Sequence, residues 1–216
     1  MKIKSIITLV VGFLIVTLMT GCVLGRRTVD LAVPSLPAGE PNGISVTVKP
    51  PSDARTFENK PSDPSTPSID GDVNSLTKDE QLLMIGRQRN GYGMAMGDVA
   101  LPVDETITQK MQQLVIEGLE ARGYRVEGEG GDYQVEVKVE EFWGWFTPGM
   151  FVVTFEARLK SNIELSKGSE REILTVTGHG VNRGQVASDA NWQLAYKRAF
   201  EDFLKNLEAA LEERGL

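Results

Sequence analysis

The chain has 216 residues, 41% of them hydrophobic and 25% charged, with one cysteine and one histidine. Such proportions belong to a globular protein and exclude a disordered chain or a multi-span membrane protein. A single cysteine excludes an intrachain disulfide and a multi-cysteine metal site, the single histidine excludes imidazole clusters, and a net charge of −7 argues against nucleic acid as a partner.

The first 21 residues differ from the rest. Lys2 and Lys4 form a short positive region, and Ile6 to Met19 is an almost unbroken apolar run of 14 residues. That is short of the roughly 20 needed to cross a bilayer as a helix, and it reads as the apolar part of a signal peptide. Leu18-Met19-Thr20-Gly21-Cys22 follows at once and resembles a bacterial lipobox, with Met19 where Leu is commoner. The resemblance implies cleavage before Cys22 and acylation of its thiol, so Cys22 is the expected lipid-attachment residue. Three acyl chains exceed the roughly two needed for stable anchoring. Val23 stands where an aspartate commonly signals inner-membrane retention, which by the same resemblance implies the outer membrane, with the domain facing the periplasm. Loss of residues 1–21 removes two lysines and no acid, so the net charge moves from −7 to −9. The domain body is therefore not expected to adhere to anionic membranes by charge.

Residues 22–43 contain Pro34, Pro37 and Pro41 with little periodicity and read as a tether. At roughly 3.3 Å per residue, about 20 residues could reach some 65 Å. Val29–Val33 could still pair as an edge strand. The single folded domain is placed at 44–216. Ile44–Val48 alternates as a strand does. Residues 52–79 carry Pro61, Pro64 and Pro67 among Ser, Asp, Asn and Thr, and read as a long flexible loop, an insertion in preference to a lid. Leu82–Gly86 and Gly93–Met96 read as short strands.

From Asp104 to Arg122, Ile107, Met111, Leu114, Val115 and Leu119 recur at helical spacing, with Asp104 as cap and Gly123 at the left-handed C-terminal position. Tyr124–Val126 continues as a strand. Three longer strands follow, built on Tyr133–Val139, Phe151–Leu165 and a glycine-rich Ile173–Val181. Ser188 to Glu213 is the last helix, its apolar stripe running from Trp192 through Tyr196, Phe200 and Phe203 to Leu211. Two amphipathic helices and one-sided strands must bury their apolar faces on each other. The expected fold is α+β, a two-layer sandwich of a mostly antiparallel sheet with both helices on one face.

The whole set resembles the YajG-like family of Gram-negative envelope lipoproteins. The resemblance rests on the lipobox, the first strand followed by Asp53-Ala54-Arg55, the helix ending Leu119-Glu120-Ala121-Arg122-Gly123-Tyr124-Arg125-Val126, the long strands and the terminal helix. The Pro-rich segment from Lys60 to Asp72 departs from it. The family implies a fold and an address, and no activity. The layout is more distantly similar to accessory lipoproteins of envelope lipid transport.

No catalytic residue, cofactor or metal site is expected. Cys22 is consumed by lipid, no G-x-S-x-G elbow is present, and His179 on an alternating strand reads as a packed or half-exposed strand residue. Glu136, Lys138 and Glu140 read as a cross-strand ladder, with Glu136 opposite Arg158 and Lys138 opposite Glu156. Beyond Glu140 both faces of the hairpin turn apolar. A two-layer sheet covers only one face, so this cluster is either partly exposed or covered by the N-terminal segment, by the 52–79 loop or by local packing. If exposed, Phe142, Trp143, Trp145, Phe146 and Met150 are the residues that would contact a protein partner or a membrane surface. The expected role is a non-catalytic binding or accessory module, attached to the membrane by its N-terminal lipid, with an envelope protein as partner. Direct lipid handling is the alternative, and a continuous apolar groove between helices and sheet would favour it. The oligomeric state is not encoded in any of these features.

Overall fold

A computed structural model describes residues 25–90, 94–149 and 151–216. Cys22 and Met150 lie outside the described residues. The strands among these residues are β1 (Arg27–Thr28), β2 (Ser45–Val48), β3 (Ser52–Asp53), β4 (Met84–Arg89), β5 (Ala95–Ala100), β6 (Arg125–Val126), β7 (Tyr133–Pro148), β8 (Val153–Lys167) and β9 (Glu170–Gly184). The helices are α1 (Lys78–Leu83), α2 (Ile107–Ala121) and α3 (Asp189–Glu213), with a 3-10 turn at Val73–Ser75.

β7 is the spine of a single sheet. On one side it pairs antiparallel with β8 along its length, and β8 pairs antiparallel with β9. On its other side β2, β3 and β4 pair with it in succession, all parallel. β6 extends β2, while β5 and then β1 extend β4. The fold is α+β, but the expected antiparallel dominance is corrected. Five strand pairings are parallel, because short segments from the N-terminal half lie along β7 in its own direction.

α2 and α3 pack on one face, as their stripes require, over one large core that includes Phe142, Phe155, Trp192, Tyr196, Phe200 and Phe203. α2 is capped by Thr106, not Asp104. The Thr106 hydroxyl accepts from the Gln109 amide, and the Gln109 side chain accepts from the Thr106 amide. At its end Gly123 has φ +87°, the left-handed turn that glycine permits. Ser188 sits at the start of α3 without a side-chain capping bond. Gly180 explains the glycines of β9. A Cβ there would lie 2.0 Å from the Ala195 carbonyl oxygen, so α3 rests directly on the strand backbone.

Two segments expected to be loose are docked. Residues 25–43 are no free tether: Arg27–Thr28 forms an edge strand on β5, and Val29 and Leu31 are buried in the main core. Further along, Leu36 N–H donates to Glu117 Oε2 at 2.9 Å and Gly39 N–H to the Glu120 carbonyl at 2.9 Å, strapping the segment along α2. The 52–79 loop folds over the other face of the sheet. Its end forms α1, closed by a capping box between Thr77 and Glu80, where sequence pattern suggests a strand from Leu82.

Candidate functional site

The aromatic run on β7 is explained by one irregularity. A β-bulge between Val139 and Glu141 inserts an extra residue, which reverses which side chains face which layer. Before it, Val135, Val137 and Val139 point into the main core. After it, Phe142 and Phe146 do so, and Trp143 and Trp145 turn to the opposite face. There they join Met84, Ala100 and Ile69 in a second apolar cluster, roofed by Phe57, Val73, Leu76 and Leu83. Trp143 meets Phe57 edge-on at 5.8 Å and donates its Nε1–H to the Pro64 carbonyl at 3.2 Å. The Arg158 guanidinium lies 4.9 Å over the Trp145 ring. Of the two alternatives the sequence leaves open, cover is the one found, which corrects the partner-contact role for these side chains. Phe142, Trp143, Trp145 and Phe146 are all buried, the first and last by the helices and the two tryptophans by the loop.

The expected charge ladder is corrected too. β7 runs through the aromatics to Pro148, so the hairpin turns at 149–152, and Arg158 and Glu156 lie opposite Trp143 and Trp145. Glu136 faces Glu164, a like-charge pair offset by Lys49 at 2.6 Å from Glu136 and Arg171 at 3.5 Å from Glu164.

Arg55 nails the loop down. Its five N–H donors are all used: two on the Asp53 carboxylate at 2.9 Å each, and one each on the carbonyls of Gln81, Met84 and Phe142 at 2.6, 2.6 and 3.0 Å. A guanidinium fully engaged in this way is structural and holds nothing in reserve for a ligand.

The docked loop does create a cleft. About 830 Å3 lies between Asn59–Pro61 and Ser68–Asp72 on one wall and Arg87, Arg89 and Met94 on the other. Arg87 is buried at its base, with Nη2 3.0 Å from Asp70 Oδ1 and Nη1 3.6 Å from Asp98 Oδ1. Its Nε is buried without a hydrogen-bond partner in the protein. Asp98 accepts from the Asp70 amide at 2.8 Å, and burial raises its carboxyl above the usual range despite Arg87 beside it. The guanidinium is fixed by these two carboxylates, and the solvent-facing Asp70 carboxylate is the polar group it presents on the cleft wall. His179 is an exposed strand residue whose Nε2 lies 3.2 Å from Glu156 Oε2. Among the described residues no group of three or more His, Cys, Asp or Glu side chains could hold a metal. No described helix is long and apolar enough to cross a membrane. Sequence reasoning missed Arg87. Its signal was a charged residue following the apolar run Leu82–Ile85, where a buried strand continues.

Fold and site together define a small α+β domain with a loop-built cleft on one face of its sheet. A family model described as "Uncharacterized lipoprotein" matches residues 90–214, more than half of the chain. The chain belongs to that family, the YajG-like lipoproteins. The matched span leaves out the loop wall of the cleft. Among solved structures, protein XCC0632 from Xanthomonas campestris is similar in fold at 12% identity, covering 88% of this chain and 97% of its own, with a TM-score of 0.52. The hypothetical protein CT253 from Chlamydia trachomatis is more distant, at 8% identity, 77% and 96% coverage and a TM-score of 0.37. Among curated proteins none matches.

Proposed function

We propose that the protein is a lipid-anchored module of the outer membrane, facing the periplasm, that acts by binding an envelope partner and not by catalysis. Membership of a lipoprotein family and the lipobox ending at Cys22 support the anchor. The observation that carries the binding role is the loop-built cleft over Arg87, with the exposed Asp70 carboxylate on its wall. Direct lipid handling is disfavoured, because among the described residues the space between helices and sheet is filled by fully buried aromatics.

Photo-crosslinking in the intact envelope tests this reading. A crosslinker at Asn59 or Lys60, both exposed on the cleft wall, is expected to trap a discrete protein partner that a crosslinker at Glu212 on α3 does not. Arg87→Gln in the same background should reduce that adduct. Identical adducts from both surfaces would count against the cleft, and a stoichiometric lipid in native mass spectra would favour the alternative. The Cys22→Ser chain should lose its outer-membrane fractionation.

A further inference from the structure

We propose that one end of the sheet is a membrane-resting surface, in which Met94, Phe151, Val152 and Val186 dip into the phospholipid interface beside the lipid anchor. This rests on the reading of Cys22 as acylated. The strand registers bring the four residues together. Arg87 lies beside Trp145, Arg89 opposite Ala95, Pro148 opposite Val153, and Val153 opposite Gly184. The end of β4 and start of β5, the end of β7 and start of β8, and the end of β9 therefore lie level at one end. Met94 precedes β5, Phe151 and Val152 form the turn, and Val186 follows β9 by two residues.

All four are exposed: Met94 by 60%, Phe151 by 83%, Val152 by 43% and Val186 by 65%. The Gly149 N–H donates to the Val152 carbonyl at 2.9 Å, which closes the turn and holds its apolar tip outward. Large apolar side chains on turns fixed by strand ends expose surface at a cost that an apolar partner relieves. Phe151 in particular suits the headgroup–acyl boundary, into which Trp, Phe and Leu side chains of interfacial segments insert.

Chain length names the occupant. β1 runs parallel to β5, and Gly25 lies against Gly97, two positions from the start of β5 at Ala95. Only Val23 and Leu24 separate Gly25 from Cys22, three steps spanning at most about 10 Å of extended chain. A 20-residue tether would leave the domain free to tumble away from the bilayer. The docked strap instead attaches the anchor directly to the end that carries the apolar tips. Arg26 and Arg183 are exposed close behind them, Arg183 one register step inward from Gly184, where guanidinium groups can meet lipid phosphates. The cleft, which Met94 and Arg89 help to line, then opens beside the membrane surface, and its partner approaches along the bilayer.

The test uses the full mature protein in vesicles of phosphatidylethanolamine and phosphatidylglycerol. Single cysteines are introduced as Phe151→Cys, Val186→Cys and, at the opposite end after β5, Val103→Cys, which replaces a residue 91% exposed. Each is labelled with a thiol-reactive, environment-sensitive fluorophore, and quenching by brominated phospholipid is read. Quenching at positions 151 and 186 is expected to exceed that at 103 several-fold. The unmutated protein is the check on the anchor: its Cys22 does not label if it is a thioether. Labelling of Cys22 would overturn the anchor and this orientation with it. An unlabelled Cys22 with equal quenching at 103 and 151 would overturn the orientation alone. Shielding of position 151 from aqueous iodide without lipid quenching would show that a second copy covers the tips, which also overturns it.

Discussion

The two faces of the sheet are covered by different kinds of structure. One lies under α2 and α3, whose stripes interlock with β7, β8 and β9 in one continuous core. The other lies under a Pro-rich loop held by a few specific bonds: the Arg55 cage, the Trp143–Pro64 hydrogen bond and a small apolar cluster. Burial alone does not separate them, since Trp143 and Trp192 are equally inaccessible. What differs is how each cover can respond to damage. A helix layer is tied to the global fold, whereas a loop can lift or settle on its own.

The largest expected effect follows from that contrast. Trp192 packs edge-on against Phe155 at 5.4 Å and Phe146 at 5.9 Å inside the helix-covered core. Trp192→Ala should cost about 5 kcal/mol of global stability, at the upper end for such truncations, because its neighbours are fixed. Trp143→Ala should cost about 3 kcal/mol, because the loop can collapse toward the cavity. Chemical denaturation of both variants measures the difference. Equal costs would mean that the loop is as rigid a cover as the helices.

Next is the cage that holds the loop. Arg55→Met keeps the apolar stem but takes the guanidinium away from the Asp53 carboxylate and three carbonyls, leaving Asp53 only the residue 55 amide and the Gln81 side chain. A loss of about 3 kcal/mol is expected, the low end for breaking a buried pair. Native-state hydrogen exchange sharpens the comparison: amides of residues 54–83 should lose protection while those of α3 keep theirs. Loss of protection in both layers together would show that Arg55 serves the whole fold.

The same contrast explains what could be read from the sequence. The helix-covered face was legible because α2, α3, β7, β8 and β9 carry regular periods, and a period names the buried face directly. The loop-covered face has no period. Its cover comes from scattered residues such as Phe57, Ile69 and Val73, whose docking depends on contacts distant in sequence. The bulge after Val139 was the specific obstacle. Strict alternation carried past it assigns Phe142 and Trp143 to the wrong layers, yet two-sided apolarity after Glu140 was its visible trace. The parallel pairing of β2, β3 and β4 along β7 left no local mark. The cleft was invisible for the same reason: Arg87 and Asp70 meet only when the loop closes.

The smallest expected effect is an acid-triggered loosening confined to the loop-covered face. Within 52–83, Asp63 is held below the usual carboxylate range by hydrogen bonds from the Ser65 side chain and amide. Asp72 is lowered by the Asn74 amide and the Asn59 side chain, and Glu80 by the Thr77 side chain and amide. Each group therefore adds stability that is complete above its unfolded value, 3.8 for Asp and 4.5 for Glu, and is lost as pH falls through its lower folded value. Asp98 acts in the opposite sense. Burial raises it, so its charge costs stability at neutral pH, and acid relieves that cost at the cleft base. The three lowered carboxylates are exposed, so the net effect is small and local. In a Trp192→Phe background, the remaining tryptophans, Trp143 and Trp145, report the loop-covered face alone. Below about pH 4 their fluorescence should shift to the red before far-ultraviolet circular dichroism records loss of the sheet and helices. Coincident transitions would show that the two faces unfold as one unit, and that the loop is an integral layer of the fold.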